Sequence, residues 1–294
     1  MILKKGGIMK KFDIINELID LLPTIHNYHA PTTKLHIFLK SLARKEFENV
    51  FSEKTDSTFN FHPFGDIFFS YFKMGAVDSL DLFDLDELII FSYYWNNKSK
   101  YKNVLDLGAN IGLHSVILSK CGFNVRSFEP DPVHFEVLKN NLHSNNCLNV
   151  EPINAAISYK DGQMEFVRVV GNTTGSHLAG SKDYSYGDLE RFSVNVNSIK
   201  PMLEWADLVK MDVEGHEKDI FKNTSPDIWR KVDVILEVQD EKSASIVFDF
   251  FKNSRINLFS EKTNWAQVKS IDDMPKNYHD GSLFITSKEN MEWL

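Results

Sequence analysis

Cysteine is nearly absent from this sequence of 294 residues, in which Cys121 and Cys147 are the only two. Two cysteines are too few for a disulfide framework, and their spacing does not suit a zinc site. Such a chain fits a reducing compartment. Because the sequence also shows no apolar segment of a secretory signal near its N-terminus, we expect a cytoplasmic protein.

Long apolar runs and an excess of basic residues are missing as well. The longest uninterrupted apolar run near the middle of the chain covers residues 88–91, far fewer than the roughly 20 residues of a membrane-spanning helix. The formal net charge is −8, whereas proteins that bind nucleic acids usually carry a basic face. We therefore expect neither a membrane span nor a nucleic-acid partner.

What the sequence does contain is a glycine-rich turn behind a buried strand. Residues 103–112 read Asn-Val-Leu-Asp-Leu-Gly-Ala-Asn-Ile-Gly. A short apolar run is followed by an abrupt turn through Gly108 and Gly112 and then by a helix expected over residues 113–120. This pattern predicts the first unit of a doubly wound parallel sheet, in which a ligand lies beyond the carboxyl end of the strand.

The turn does not match a dinucleotide site. Such sites read Gly-x-Gly-x-x-Gly, because the middle glycine lets the backbone approach a pyrophosphate. Here that position is Asn110, which follows Ala109. Asp106, at the strand end, would repel a phosphate but suits a cation. S-adenosylmethionine carries an ammonium and a sulfonium and no phosphate, so we expect it to be the cofactor.

Glu129 is a second sign of the same cofactor. It follows the next apolar run, residues 125–128, at a position where a carboxylate accepts hydrogen bonds from both ribose hydroxyls. The alternative interpretation is an α/β turn that binds another ligand, with Glu129 merely at the surface.

Five segments resemble, in order and spacing, the FkbM-type family of S-adenosylmethionine-dependent methyltransferases; they are residues 106–112, 128–130, 154–156, 210–217 and 236–237. The resemblance extends over about residues 70–288, and its most specific part is the Asp-Val-Glu-Gly-His-Glu sequence that begins at Asp212. It implies that Asn154 and Ala156 meet the adenine ring, although Asn154 could instead be only a turn residue. The predicted cofactor-binding residues are Asp106, Gly108, Ala109, Asn110, Gly112, Glu129, Pro130, Asn154, Ala156 and Asp212.

The predicted catalytic residues follow the fourth and fifth core strands. A hydroxyl acceptor must lose a proton during methyl transfer, which requires a general base or a metal ion. Asp212 and Glu214 follow one strand, Glu237 ends its neighbour, and His216 is a neutral base among them. We favour a metal-free site in which Asp212 faces the cofactor's ammonium and Glu214 or His216 takes the proton. The alternative is a magnesium ion held by Asp212 and Glu237. Glu217 could serve only to stabilise its helix.

The predicted fold is α/β, a doubly wound seven-stranded Rossmann-like methyltransferase sheet with a helical N-terminal extension. We expect the extension over residues 1–58, a strand and helix lead-in over residues 59–98 that is a candidate substrate lid, and the S-adenosylmethionine-binding domain over residues 99–294. The extension should contain two amphipathic helices that either pack on the core or bind substrate. The codons compatible with residues 4–7 resemble a ribosome-binding site, so we expect translation to start at Met9.

These expectations combine into a cytoplasmic enzyme that methylates a hydroxyl of a sugar or glycan precursor, a step of polysaccharide biosynthesis. A polar stretch over residues 171–191 is predicted to bind such an acceptor, because it offers hydroxyl, amide and imidazole groups. One alternative is an enzyme that methylates an amine or another small metabolite. Another is a non-catalytic module that binds a nucleotide-like ligand, and association into a homo-oligomer is also open.

Overall fold

A computed structural model describes residues 13–182 and 187–293 of the chain. It has the predicted α/β architecture, organised around one large mixed sheet. The expected translation start at Met9 lies outside the described residues. Within those residues, none of the helices combines the length and the apolar character that a membrane span requires.

The helices begin at residues that can cap them. The side chain of Thr33 accepts a hydrogen bond from the backbone of the second helix, and Asp131 does the same ahead of Pro132 in the fifth. The described residues contain α1 (Asp13–Leu21), α2 (Lys34–Val50), α3 (Leu85–Asn96), α4 (Leu113–Lys120), α5 (Pro132–Ser144), α6 (Ile199–Trp205), α7 (Glu217–Lys222) and α8 (Glu241–Phe251).

The strands divide into two hairpins and two sheets. In chain order they are β1 (Ser57–Phe61), β2 (Gly65–Phe69), β3 (Lys73–Met74), β4 (Val77–Asp78), β5 (Asn103–Leu107), β6 (Asn124–Phe128), β7 (Val150–Ile153), β8 (Ala156–Ser158), β9 (Gly162–Val169), β10 (His177–Leu178), β11 (Leu189–Ser198), β12 (Leu208–Met211), β13 (Asp233–Glu237), β14 (Asn257–Ser260), β15 (Ala266–Gln267) and β16 (Ser282–Thr286).

The main sheet has the strand order β15-β14-β16-β13-β12-β5-β6-β7. Strand β5 pairs in parallel with β12 and β6, so the carboxyl ends of these strands lie at one edge. Strand β16 runs antiparallel to β13 and β14. The described part of this sheet has eight strands rather than the predicted seven. The additional strand, β15, has two exposed residues and therefore no apolar pattern in the sequence.

A second sheet, with the order β10-β9-β11-β8, is built from one continuous part of the chain, residues 156–198, between β7 and β12. Phe166, Val194 and Val196 belong to its own small apolar cluster. The sequence predicts only a polar stretch over residues 171–191 and no strand after it. Strand β11 begins inside that stretch with three exposed residues, which hide its alternation of buried and exposed side chains.

Apolar side chains cover both faces of the main sheet. Val104 of β5 packs in the same cluster as Ile117 of α4, whereas Leu105 and Leu107 pack in the cluster that contains Ile220 of α7. Successive residues of a strand point to opposite faces, so one apolar run supplies both layers.

The two N-terminal helices pack into the same apolar cluster as α3. Ile15 and Leu18 of α1 and Phe47 of α2 are buried there, and the rings of Phe47 and Phe83 stack with centroids 4.6 Å apart. None of the described residues of α1 or α2 lines the cleft described below. The packing interpretation of these helices is therefore favoured over substrate binding, and the domain boundary at residue 58 stays a prediction.

Candidate active site

A cleft of about 1070 Å³ opens at the carboxyl ends of β5, β6, β12 and β13. This is the position at which an open α/β sheet binds its ligand. The predicted site residues that line it are Gly108, Asn110, Glu129, Pro130, Ala156, Asp212, Glu214 and Glu237. The predicted residues outside its lining are Asp106, Ala109, Gly112, Asn154 and His216.

Gly108 makes a backbone contact that no other residue could make. Its φ is +79°, and a Cβ atom there would lie 1.8 Å from the carbonyl oxygen of Asp212. The backbone N–H groups of Gly108 and Ala109 both donate to the carbonyl oxygen of Phe128, at 3.0 and 2.9 Å. A Cβ atom at Gly112 would lie 2.8 Å from Cδ1 of Leu138 in α5, so the Leu138 side chain would have to shift. Ala109 and Gly112 thus shape the turn without lining the cleft.

Glu129 is held by backbone groups on both carboxylate oxygens. Its Oε2 accepts from the N–H of Asn110 and its Oε1 accepts from the N–H of Asp131, each at 2.8 Å. Burial raises the pKa of Glu129 to about 8, although these two donors favour the charged form. The interpretation of Glu129 as merely a surface residue is wrong, because the residue is 5 % exposed.

Two predicted cofactor-binding side chains have structural partners instead. The Asn154 amide donates to the carbonyl oxygens of Glu129 and Pro130, at 2.8 and 3.2 Å, which is the role of a turn residue. Asp106 is fully buried, and its Oδ2 accepts from the Ser115 hydroxyl of α4 at 2.6 Å. Asp106 does not line the cleft, and this position on the α4 side of the sheet argues against the prediction that its carboxylate faces a cationic ligand.

Four acids converge where β12 and β13 end, and their charges interact. Burial raises the pKa of Glu237 well above its usual value, and the nearby Asp212 and Glu214 add to the shift. Burial and Asp212 likewise raise the pKa of Glu214 to about 7, although Lys182 lowers it with an ion pair of 2.5 Å. Desolvation also raises the pKa of Glu87, the fourth acid. Its contact with His114 outweighs the desolvation, so the pKa of Glu87 lies below its usual value.

Lys210 is the cation beneath this cluster. Burial lowers the pKa of Lys210, but Asp212, Asp106 and Glu87 outweigh burial and raise it, so its ammonium stays charged. Its Nζ lies 3.4 Å from Oδ2 of Asp212. The other oxygen of Asp212, Oδ1, is buried without a hydrogen-bond partner. An unsatisfied buried carboxylate oxygen on a cleft-lining residue is suited to a donor supplied by a ligand.

His216 is not available as a base. Its Nε2 lies 2.8 Å from the Ser158 hydroxyl and its Nδ1 lies 3.0 Å from the Ser181 hydroxyl. The ring is 3 % exposed, and burial lowers its pKa. We therefore correct its predicted catalytic role: His216 holds the second sheet against the loop that carries Asp212.

The segment predicted to bind the acceptor does line the cleft. Its members there are Asn172, Thr173, Thr174, Ser176 and His177. The Thr173 hydroxyl lies 2.8 Å from Nε2 of His134, and the Thr174 hydroxyl donates to Oδ1 of Asn172 at 2.5 Å. Below, these five residues are called the polar wall.

Sequence reasoning missed several residues of the cleft. One of them is Glu87 of α3, which lines the cleft with its carboxylate 2.6 Å from Nε2 of His114. His134 also lines the cleft, and nothing in its sequence surroundings signals this. Lys182 lies within the predicted polar stretch, but the sequence assigned it no role. The lead-in segment contributes Val77, Asp81 and Leu82 as well, and its role as a substrate lid stays a prediction.

Comparison with known proteins identifies the family to which this sequence is similar. The sequence profile described as the Methyltransferase FkbM domain matches residues 106–263, more than half of the chain. Methyltransferase sdnD of Sordaria araneosa is 25 % identical over 198 residues, which cover 55 % of this chain and 76 % of that protein. Methyltransferase 1 of Beauveria bassiana (strain ARSEF 2860) is 23 % identical over 163 residues, which cover 47 % of this chain and 65 % of that protein. The second match thus spans just under two thirds of the relative.

Among solved structures, the precorrin-6y C5,15-methyltransferase of Geobacter metallireducens GS-15 shares 12 % sequence identity with this chain. The superposition has a TM-score of 0.37 and covers 65 % of this chain and 83 % of that one.

Proposed function

This chain belongs to the FkbM methyltransferase family, and we propose that it transfers a methyl group from S-adenosylmethionine to a hydroxyl of a sugar or glycan precursor. The observation that carries the proposal is the meeting, in one cleft, of the buried carboxylate of Glu129 with Asp212 and Glu214. The first is placed to bind a ribose and the other two to handle charge and a proton. These residues follow two different strands, β6 and β12, whose ends the fold brings together.

The residues around the Gly108 turn fit the cofactor. Each carboxylate oxygen of Glu129 accepts one hydrogen bond from a backbone N–H. Each oxygen therefore has a lone pair left that can accept a hydrogen bond from a ribose hydroxyl. Oδ1 of Asp212, buried without a partner, suits an ammonium group. When bound, S-adenosylmethionine supplies a methyl group on a positively charged sulfur.

Glu214 is the proposed general base. Its pKa of about 7 keeps part of the population ionised at neutral pH and makes it a matched proton acceptor. As the acceptor oxygen forms its bond to the methyl carbon, the hydroxyl proton passes to the Glu214 carboxylate and the carbon–sulfur bond breaks. Lys182, which pairs with Glu214, orients the carboxylate.

The polar wall supports a polyhydroxylated acceptor. Hydroxyl and amide groups can both donate and accept hydrogen bonds, as a sugar ring does. An amine or another small metabolite is the alternative acceptor. A non-catalytic binding module is the second alternative, but a cluster of acids with raised pKa values is more typical of an enzyme than of a binding surface.

We favour the metal-free arrangement of this site. Lys210 and Lys182 already bring positive charge to the acids, so magnesium is not needed to offset their repulsion. The alternative, in which Asp212 and Glu237 bind magnesium, predicts that activity is lost in EDTA and restored by that ion.

The proposal is tested by a search for methylated products. We expect purified protein and S-adenosylmethionine to add the mass of one methylene group to a member of a panel of nucleotide sugars and glycan precursors. A parallel panel of amines and phenols is the control for acceptor class. Methylation confined to the second panel would contradict the sugar assignment while leaving the methyltransferase activity intact.

Replacement of Glu129 with alanine tests the cofactor site. We expect S-adenosylmethionine to bind roughly ten- to a hundredfold more weakly, a loss of about 1.5–3 kcal/mol, because charge-assisted hydrogen bonds to the ribose are removed. Isothermal calorimetry measures this. Glu136→Ala, at an exposed residue of α5, is the matched control and should bind normally. Unchanged affinity in Glu129→Ala would remove Glu129 from the site.

A further inference from the structure

A second cluster of potential ligands lies away from the cleft, where α2, α3 and the turn after β14 meet. His36, Asp86 and Glu261 each place one ligand atom within 4.8 Å of the others. His36 is 2 % exposed and Glu261 is fully buried. None of the three lines the cleft, and the methyl-transfer proposal does not use them.

The three atoms that face the centre of this cluster are all potential hydrogen-bond acceptors, and none of them is a donor. Nδ1 of His36 lies 2.8 Å from the carbonyl oxygen of His29. A carbonyl can only accept, so Nδ1 carries a proton, and in the neutral imidazole the lone pair is then on Nε2. Nε2 is 3.3 Å from Oδ1 of Asp86, yet neither atom has a hydrogen-bond partner, and neither does Oε1 of Glu261. Buried acceptors that face one another are unfavourable unless a cation or extra protons lie among them.

The outward-facing atoms of the same side chains are anchored. Oε2 of Glu261 accepts from the backbone N–H of Ser282 at 2.8 Å. Oδ2 of Asp86 accepts from Nζ of Lys40 at 2.8 Å, and Lys40 is shared with Asp84. With the bond from His36 to the backbone, all three side chains are held by one atom and present the other. Metal-binding histidines and carboxylates are held in this way.

We propose that His36, Asp86 and Glu261 bind a divalent transition-metal ion of the zinc type. Magnesium and calcium prefer oxygen ligands alone, whereas zinc accepts both imidazole nitrogen and carboxylate oxygen. Two ligands at zinc distances and a tetrahedral angle lie roughly 3.4 Å apart. The atoms of His36 and Asp86 are 3.3 Å apart, and the two carboxylates balance the charge of the ion.

The ion would join the N-terminal helices to the C-terminal half of the sheet. Other contacts already connect these regions, because Nε1 of Trp265 donates to Nδ1 of His29 at 3.0 Å and the N–H of Ala30 donates to Oδ1 of Asn264 at 2.7 Å. The ligands therefore lie on elements held in a fixed relation. The proposed role of the metal is structural.

Metal titration of the untagged full chain tests this site. After EDTA treatment and dialysis, we expect calorimetry to show one Zn²⁺ bound per chain. The melting temperature should rise by roughly 5 °C at free Zn²⁺ about a hundredfold above Kd, whereas Mg²⁺ should cause no rise. Binding of clearly less than one Zn²⁺ per chain would overturn the assignment. An equal rise of the melting temperature with Mg²⁺ would also overturn it, and neither measurement needs a variant.

Two variants locate the ion. Glu261→Gln keeps the shape of the side chain and an oxygen for the N–H of Ser282, and it should weaken Zn²⁺ binding by more than about tenfold. Asp84→Asn is the matched control, because Asp84 also contacts Lys40 but does not belong to the cluster. It should bind Zn²⁺ as the wild type does. Undiminished binding by Glu261→Gln would show that the ion lies elsewhere.

Discussion

Replacement of Glu214 with glutamine is expected to lower turnover by about two orders of magnitude with little change in the affinity for S-adenosylmethionine. The glutamine keeps the size of the side chain but cannot accept the acceptor's proton. Since the loss arises only in the reacting complex, kcat falls while cofactor binding persists. Steady-state kinetics and calorimetry on the same preparations measure the two quantities.

The pH dependence gives an independent sign of the same group. In the wild type, kcat should rise as pH increases through about 7, because Glu214 acts as the carboxylate and its pKa is raised to that value. The variant should lack this rise. Glu217→Gln is the matched control. Glu217 is buried at the start of α7, its Oε1 accepts from the N–H of Val213 at 2.9 Å, and it does not line the cleft. An equal loss of turnover in both variants would indicate disturbed structure rather than a missing base.

Replacement of Gly108 with alanine is expected to destabilise the fold by about 3 kcal/mol or more. The added Cβ would lie 1.8 Å from the Asp212 carbonyl oxygen. The Cβ is fixed to the backbone and the oxygen belongs to the backbone, so neither atom can rotate away. Either β5 or β12 must shift. The melting temperature should fall by roughly 6 °C or more, and cofactor binding should be lost in whatever folded protein remains.

Gly122 provides the control for this substitution. It has a similar φ of +90°, but a Cβ atom there would meet nothing within 4 Å. Gly122→Ala therefore carries the backbone strain alone, about 1–2 kcal/mol. The difference between the two variants measures the steric contact with Asp212. Equal melting temperatures would contradict the tight packing of the two strand ends.

The main sheet was largely predictable because its buried strands appear in the sequence as short apolar runs. The strand expected before the Gly108 turn is β5, and the helix expected over residues 113–120 is α4. Glu129 was found from its position behind an apolar run. In each case the information is local, since a buried parallel strand is a short apolar run with an acid or a glycine at its end.

The errors concern partners that are distant in the chain. Asp106 has the right position in sequence, but alternation along β5 turns its side chain toward Ser115 instead of the cleft. His216 was interpreted as a base because the hydroxyls of Ser158 and Ser181, which occupy both ring nitrogens, are far away in sequence. Lys182 lies in the predicted polar stretch, but its ion pair with Glu214 gives no signal in the sequence. Sequence patterns show which face a residue occupies better than they show what it touches.

The second sheet has a consequence for how this enzyme could diversify. Its strands come from one uninterrupted stretch, residues 156–198, whose entry and exit strands pair in parallel from Ala156 and Val196 onward. Side-chain contacts attach this sheet to the rest of the fold. Among them, the Arg168 guanidinium donates two hydrogen bonds of 2.7 Å to the Asp131 carboxylate, which precedes α5. The polar wall belongs to this stretch, whereas the acids belong to the main sheet. Recombination of this stretch as one unit would exchange the polar wall together with Lys182, the partner of Glu214, while Asp212, Glu214 and Glu237 would stay with the main sheet.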